Sequence, residues 1–302
     1  MMDAQEMKMI AGVAMLYVGG RSAAEGLAGS APAPGWRACG HWLPIAAVVI
    51  VAILVGQPEI ALSTLFATSI AALALVGGCI AIIGMTPEEP AVWPESTRNV
   101  TALLLPAAVL AYLAGFPGHF GWLTNSLLLG EGLVLLIVWR GSAGRLRLAP
   151  IHLLIAIPLS ALGAWAVVRG AMSLNSDVDY PPAMVAAATV FAPILCVPML
   201  LSGANLAQRG QAWAIHGALV GLAQLNLCAG LPLAAILWRL RWHSALTYPM
   251  HNWRVDAVVL LLISATLAPV AAGRWRPHRI EGAFQLVLYV VYVLAVIAVA
   301  LY

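Results

Sequence analysis

Charged residues are scarce in this sequence, and their scarcity excludes a soluble globular protein. Asp, Glu, Lys and Arg make up 9% of the 302 residues, whereas 62% of the residues are hydrophobic. A soluble domain carries about 25% charged residues, so this chain has too few to cover a water-exposed surface. We therefore expect an integral membrane protein whose main surroundings are the lipid bilayer.

The motifs of catalysis and of cofactor binding are also missing. The four cysteines, Cys39, Cys79, Cys196 and Cys228, show no CxxC spacing, and the seven histidines never pair at i,i+4. The sequence has no glycine-rich nucleotide-binding loop, and no catalytic nucleophile stands beside a general base. We predict that the protein is not an enzyme and that it has no metal centre, no cofactor and no nucleic-acid partner.

What the sequence does contain is ten apolar stretches of nearly the length that crosses a bilayer. A membrane-spanning helix needs about 20 predominantly apolar residues. The fourth stretch is short, and the second and third are nearly continuous. The predicted spans are 8–28, 42–63, 65–85, 101–116, 121–139, 149–170, 183–206, 212–236, 254–273 and 281–302.

Basic residues are distributed unequally between the two sides that this topology defines. One side has the nine arginines 37, 98, 140, 145, 147, 209, 274, 276 and 279, and the other has Lys8 with the arginines 169, 239, 241 and 254. Loops that carry more Lys and Arg remain in the cytoplasm. We therefore predict a multi-pass protein of a bacterial-type inner or plasma membrane, with both termini on the non-cytoplasmic side.

The sequence also contains an internal repeat. The block from Ile50 to Glu59 recurs, 140 residues later, as the block from Val190 to Met199, and each copy has Pro at its ninth position. A second match pairs Glu131-Gly132 with Glu281-Gly282. Because each half would contain five spans, an odd number, the second half must enter the membrane in the opposite sense. The repeat predicts two inverted five-helix halves, 1–140 and 149–302, joined by a short basic cytoplasmic linker, 141–148.

Pro58 and Pro198 occupy matching positions in the repeated block. Proline removes a backbone donor and clashes with the preceding helical turn, so a helix is expected to break or kink there. In lipid such a break persists only where protein buries it or where it lines a cavity. The two prolines therefore predict paired helix breaks at a central site.

These features together resemble the cation/calcium antiporter superfamily, which includes the sodium/calcium exchangers. The family's two repeats read approximately IVAxGTSxPEL followed by KGxxDLAxGNxxGSNxxN. The resemblance covers nearly the whole chain, and it implies ten helices with inverted halves around an ion site. The matching residues are Ile50, Val51, Ala52, Pro58, Glu59 and Ile60 in the first half, and Pro198, Leu200, Arg209, Gly210, Gly217, Gly221, Asn226, Asp256, Arg279, Glu281, Gly282, Tyr289 and Tyr292 in the second.

Departures from the family pattern remove most of the ion ligands that the resemblance would imply. Val55-Gly56 and Leu195-Cys196 replace the Thr-Ser pairs, and Met199 replaces the second glutamate. Calcium prefers six to eight oxygen ligands. One carboxylate with a few hydroxyl and amide groups does not supply them, so ordinary sodium/calcium exchange is the function that the residues support least.

The remaining polar residues give a tentative ion site. It contains Glu59 and Ser63 from the first half and Cys196, Ser202 and Asn226 from the second. A carboxylate within the membrane costs about 2.5–3.5 kcal/mol on insertion scales, so Glu59 is either a functional acid or an acid that is hydrogen-bonded to the backbone.

Two functions stay open at this point. The first is a divergent antiporter that moves a proton or a monovalent cation through the Glu59 region by alternating access of the two halves. The second is a non-transporting relative that acts as a structural or assembly subunit and has membrane-protein partners. Fold alone does not choose between them, because one fold hosts many functions.

Overall fold

The residues that the structure describes form ten long helices. The computed structural model describes residues 4–28, 34–83, 93–142, 149–177, 183–274 and 278–301, and within them no strand is present apart from a single bridge between His119 and Thr247. The predicted all-α membrane architecture is confirmed. The helices are α1 Ala4–Ala28, α2 Pro34–Leu54, α3 Pro58–Ile83, α4 Glu95–Gly115, α5 Trp122–Ser142, α6 Pro150–Asp177, α7 183–208, α8 Ala212–Trp242, α9 Met250–Ala271 and α10 Arg279–Leu301.

Length and composition allow nine of the helices in the described residues to cross a membrane, and they are α2 to α10. The remaining helix, α1, has 25 residues, but it carries Glu6, Lys8, Arg21 and Glu25. It packs along the full length of α6. In lipid, helices satisfy every backbone hydrogen bond internally, which is why a chain of this composition folds into them.

The boundary between the second and third spans differs from the prediction. The expected spans 42–63 and 65–85 are wrong by about eight residues, because α2 ends at Leu54 and α3 begins at Pro58. Gly56 makes the turn with a φ of +81°, a conformation that favours glycine. Pro58 then starts α3, where its missing N–H leaves no intrahelical bond unmade.

The helices arrange so that α3 and α8 form the centre of the molecule. In the most apolar stretch of α8, 83% of the residues are buried, whereas only 22% are buried in the corresponding stretches of α5 and of α10. Every residue from Ile60 to Ile70 on α3 is buried. Helices α5 and α10 therefore face the lipid, and α3 and α8 carry whatever site lies between the halves.

Three of the helices contain a π-helical segment. These segments are Ala71–Val76 in α3, Ala187–Phe191 in α7 and Asn226–Gly230 in α8. A π-helical turn shifts the backbone hydrogen bonds by one residue and is frequent at functional sites. Two of the three lie on the central helices α3 and α8.

Helices of the two halves run in opposite directions at the centre. Trp242, the last residue of α8, donates its indole N–H to the carbonyl of Ile53, 3.1 Å away, just before the start of α3. The end of α8 therefore lies beside the beginning of α3. The predicted linker 141–148 lies mostly outside the described residues, and its first two residues continue α5.

Candidate functional site

Glu59 lies at a helix end and not inside the membrane core. It is the second residue of α3, directly after Pro58, and its side chain is exposed. There the carboxylate meets the positive end of the helix dipole and its free N–H groups. The expectation of a mid-membrane acid at Glu59 is wrong, because the turn at 55–57 ends one span and begins the next.

The two halves match with a different offset from the one that the prolines predicted. Gly56 and Gly210 (φ +68°) occupy equivalent turns before α3 and α8, and they are 154 residues apart. The same offset pairs Pro44, inside α2, with Pro198, inside α7. Pro58 is therefore not the counterpart of Pro198, and the predicted break within a helix at Pro58 is wrong. Helix α7 also continues through Pro198.

This pairing changes which residues stand at the acidic positions of the repeat motif. The residue after Pro44 is Ile45, and the residue after Pro198 is Met199. Both side chains are completely buried. The motif has glutamate after each proline, so both central carboxylates are replaced by apolar side chains in this protein.

A cluster of uncharged polar side chains joins α3 to α8 at the centre of the molecule. The Asn226 amide donates to Thr68 Oγ1 at 2.9 Å, to Ser69 Oγ at 3.0 Å and to the Leu65 carbonyl at 3.3 Å. Thr68 in turn donates to the Thr64 carbonyl, 2.6 Å away, and Ser69 donates to the Leu65 carbonyl, 2.7 Å away. We call Thr64, Thr68, Ser69 and Asn226 the α3–α8 cluster.

Two oxygen atoms of the α3–α8 cluster have no hydrogen-bond partner among the described residues. They are Asn226 Oδ1 and Thr64 Oγ1, and both are inaccessible to water. The hydroxyl protons of Thr68 and Ser69 are used on backbone carbonyls, so neither hydroxyl donates to the Asn226 oxygen. Buried polar atoms are almost always paired, so these two unpaired oxygens, one from each half, are candidate ligands for an additional group.

Of the residues in the predicted ion site, Asn226 belongs to the α3–α8 cluster and Cys196 contacts it. The Cys196 thiol donates to the Thr68 carbonyl at 3.8 Å. Ser202 instead bonds the Met199 carbonyl of its own helix at 3.2 Å. Ser63 belongs to a different group of side chains, which surrounds Asp256.

Asp256 is the centre of a second buried polar group. Its carboxylate accepts hydrogen bonds from the hydroxyls of Tyr248, at 2.7 Å, and of Tyr292, at 2.8 Å. Ser63 Oγ lies 2.9 Å from the Tyr248 hydroxyl, whose proton is used on Asp256, so Ser63 is the donor. This group ties α3 of the first half to α9 and α10 of the second.

A third acid, Glu131, lies at the middle of the span Trp122–Arg140. Both of its carboxylate oxygens are buried, and the backbone of Ala107 lies beside them. Glu281, which the repeated sequence pairs with Glu131, accepts the His278 backbone N–H at 2.8 Å and caps α10. Glu131 does not cap a helix, because α5 begins nine residues before it.

The chemistry of the α3–α8 cluster is that of a neutral oxygen site. Within the described part of the chain no group of three or more His, Cys, Asp or Glu side chains could hold a metal ion. A divalent ion in a low dielectric needs compensating negative charge, which Ile45 and Met199 do not supply. Hydroxyl and amide oxygens suit a hard cation of single charge or a hydrogen-bonding solute.

Sequence reasoning missed Thr64, Thr68 and Ser69 because the repeat was aligned on the wrong proline. The pair Gly56-Gln57 and Gly210-Gln211 was the signal that could have found them. At that offset the three hydroxyl residues fall on the polar positions of the repeat motif. Asp256 was noted as part of the family pattern, but its two tyrosine partners come from other elements and were not predicted.

The comparisons with known proteins agree with this architecture. The chain matches the model of the family described as "Sodium/calcium exchanger protein" over residues 38–143 and 148–298. No curated protein sequence matches it.

Two solved structures have a similar fold. One is the sodium-calcium exchanger NCX_Mj soaked with zero Na⁺ and Ca²⁺, with 20% identity and a TM-score of 0.65 over 95% of this chain and 97% of that one. The other is native YfkE, with 17% identity and a TM-score of 0.72 over 97% and 91% of the two chains. At these identities the likeness concerns the fold.

Proposed function

Because the chain belongs to the sodium/calcium exchanger protein family, we propose that it is a secondary transporter for a small monovalent cation and that it does not exchange calcium. The proposed binding site is the α3–α8 cluster. The observation that carries the proposal is the cluster itself, in which Asn226 of the second half bonds Thr68 and Ser69 of the first. Two of its buried oxygens, Asn226 Oδ1 and Thr64 Oγ1, have no hydrogen-bond partner among the described residues.

Because the site is neutral, it favours a cation with a single charge over a divalent one. All four side chains of the α3–α8 cluster are neutral, and Ile45 and Met199 leave no carboxylate at the acidic positions of the motif. Bringing a divalent ion into such a site would leave two positive charges uncompensated in a low dielectric. A monovalent ion needs less compensation, and carbonyl oxygens beside the π-helical segments Ala71–Val76 and Asn226–Gly230 are available as further ligands.

The position of the cluster suits alternating access. It lies between a helix of the first half and the inverted, corresponding helix of the second. In transporters built from inverted repeats, substrate sites lie near the bilayer midplane at the repeat interface, and rocking of one half against the other opens them to each side in turn. We propose this motion here, with both termini on the non-cytoplasmic side of a bacterial-type inner or plasma membrane.

A second candidate function is that of a non-transporting subunit of a membrane complex. The burial of Ile45 and Met199 favours it, because apolar packing at both acidic positions closes the centre of the molecule. In that case the α3–α8 cluster holds the two halves together and carries no ion. Measurements of ion flux separate the two functions.

Asn226 is expected to be essential for transport. In vesicles reconstituted with the purified protein, sodium or potassium flux should exceed that of empty vesicles, and calcium flux should not. Asn226→Leu removes one cation ligand and the three contacts that hold the cluster together, so flux should fall by about tenfold or more. Thr64→Val should reduce flux in the same direction by removing the ligand from the other half.

Glu59→Gln is the matched control for this experiment. Its side chain is exposed at the helix start, so flux should stay within about twofold of the wild type. Proton flux is measured in parallel, because Glu131 is an acid at the middle of the span Trp122–Arg140. Absence of flux for sodium, potassium and protons in a correctly folded protein would overturn the transporter proposal. Purification of the protein in a stable complex of fixed stoichiometry would then favour the function of a non-transporting subunit.

A further inference from the structure

A cavity separate from the α3–α8 cluster opens where the beginning of α5 meets the end of α8. Its volume is about 620 Å³, and its lining includes His119, Asn125, Arg239 and His243. We call it the α5–α8 cavity. Its two walls come from different halves, and they are joined by a backbone hydrogen bond of 3.0 Å from the Phe120 N–H to the Leu246 carbonyl.

The charge of the α5–α8 cavity is positive. Arg239 is exposed and has no carboxylate within ion-pair distance in the described residues, and no Asp or Glu lines the cavity. The first intrahelical bond of α5 is the one from Asn125 N to the Gly121 carbonyl, so the N–H groups of residues 122–124 precede it. A helix N-terminus and an unpaired arginine on opposite walls favour an anionic group between them.

Asn125 adds the requirement that the ligand carry a hydrogen-bond donor. Asn125 lines the α5–α8 cavity and is 6% exposed, and its Oδ1 atom has no hydrogen-bond partner within the residues that the structure describes. A buried amide oxygen without a partner needs a donor, and a phosphate dianion or monoester oxygen does not provide one. The complementary ligand therefore carries a hydroxyl or amine donor near its anionic group.

The depth of the α5–α8 cavity indicates where such a ligand comes from. The span of α5 begins at Trp122 and the span of α8 ends at Trp242, so the cavity lies at the level of the lipid headgroups. Trp122 (73% exposed) and Leu240 (69% exposed) line the same cavity and extend its surface towards the acyl chains. This continuity favours a lipid over a free anion.

We propose that the α5–α8 cavity binds the headgroup of an anionic glycerophospholipid. The phosphate lies between Arg239 and the first turn of α5, and a headgroup hydroxyl donates to Asn125 Oδ1. The acyl chains lie along Trp122 and Leu240. Since the walls belong to different halves, the bound lipid links them. This proposal does not depend on whether the protein transports an ion.

The test measures lipid binding by native mass spectrometry of the purified protein in detergent, titrated with phosphatidylglycerol, which has an anionic phosphate and headgroup hydroxyls. Arg239→Gln should weaken binding by about tenfold, because it removes a charge-assisted contact. Asn125→Asp keeps the shape of the side chain but adds a negative charge beside the phosphate, so it should weaken binding by a similar factor. Phosphatidylcholine should bind the wild type more weakly than phosphatidylglycerol.

Arg241→Gln is the matched control. Arg241 is exposed two residues from Arg239, its guanidinium lies 5.0 Å from the Trp242 ring centroid, and it does not line the cavity. Its substitution should change binding by less than about twofold. An equal loss for the two arginine variants would show attraction to general surface charge and would overturn the proposal. Inorganic phosphate that competes as strongly as the lipid would overturn the lipid assignment in favour of a free anion.

Discussion

Asp256→Ala is expected to be the most destabilising of the single substitutions considered for this protein. Asp256 is wholly buried and accepts hydrogen bonds from Tyr248 and Tyr292, so alanine leaves the Tyr292 hydroxyl without its acceptor and the Tyr248 hydroxyl with Ser63 Oγ alone. An unsatisfied buried donor costs about 1–3 kcal/mol, and the lost desolvation cost of the carboxylate offsets part of that. We expect a net loss of about 2–4 kcal/mol, measured by denaturant unfolding in detergent with tryptophan fluorescence.

Asp256→Asn is the control that separates the lost hydrogen bonds from the lost charge. The amide oxygen can still accept from one tyrosine, and the amide group can donate to the oxygen of the other. The free energy of unfolding of the Asp256→Asn variant should therefore fall by about 1 kcal/mol. Tyr248→Phe and Tyr292→Phe should each cost less than Asp256→Ala, and either should be strongly non-additive with it. Equal stability of Asp256→Ala and the wild type would contradict the role given to this group.

Gly40→Ala is expected to have the second largest effect. Helix α2 approaches α1 so closely at this glycine that an added Cβ would lie 2.5 Å from Ala24 Cα and 2.7 Å from the Ala24 backbone nitrogen. These are backbone atoms, which cannot turn aside as a flexible side chain can. The two helices must therefore move apart, at a cost of about 1–3 kcal/mol in the free energy of unfolding.

Gly130→Ala is the matched control, since Gly130 also lies inside a membrane-spanning helix. Apart from the adjoining residues and backbone of its own helix, no atom of the described residues lies within 4 Å of a Cβ built at this position. The substitution should therefore cost nothing, and the lower flexibility of alanine favours the helix slightly. The comparison uses the midpoint of thermal unfolding in detergent. If both variants unfold at the same midpoint, the close approach of α1 and α2 does not contribute to stability.

The features of the fold that the sequence predicts best are those that follow from its composition alone. The number of apolar stretches and their length required about ten helices, because lipid leaves the backbone no other way to satisfy its hydrogen bonds. The odd number of spans in each half required the inversion. These features do not depend on which residues of the two halves are paired.

Individual positions were predicted less well, and the turn at 55–57 shows why. The apolar residues on both sides are nearly continuous, and three residues without charge end one span and begin the next. Hydropathy averaged over the length of a span does not detect so short a turn. The error moved Glu59 from a helix end into the membrane and paired Pro58 with Pro198, where the structure pairs Pro44.

The sequence by itself determined a multi-pass helical membrane protein with two inverted halves and few residues able to ligate calcium. Only the tertiary structure decided which polar groups meet, because the antiparallel crossing of α3 and α8 brings Asn226 to Thr68 and Ser69, which are 158 and 157 residues away along the chain. The same crossing leaves Asn226 Oδ1 and Thr64 Oγ1 without partners in the part of the chain that the structure describes. Distances of that kind depend on helix packing, which no local pattern of residues encodes.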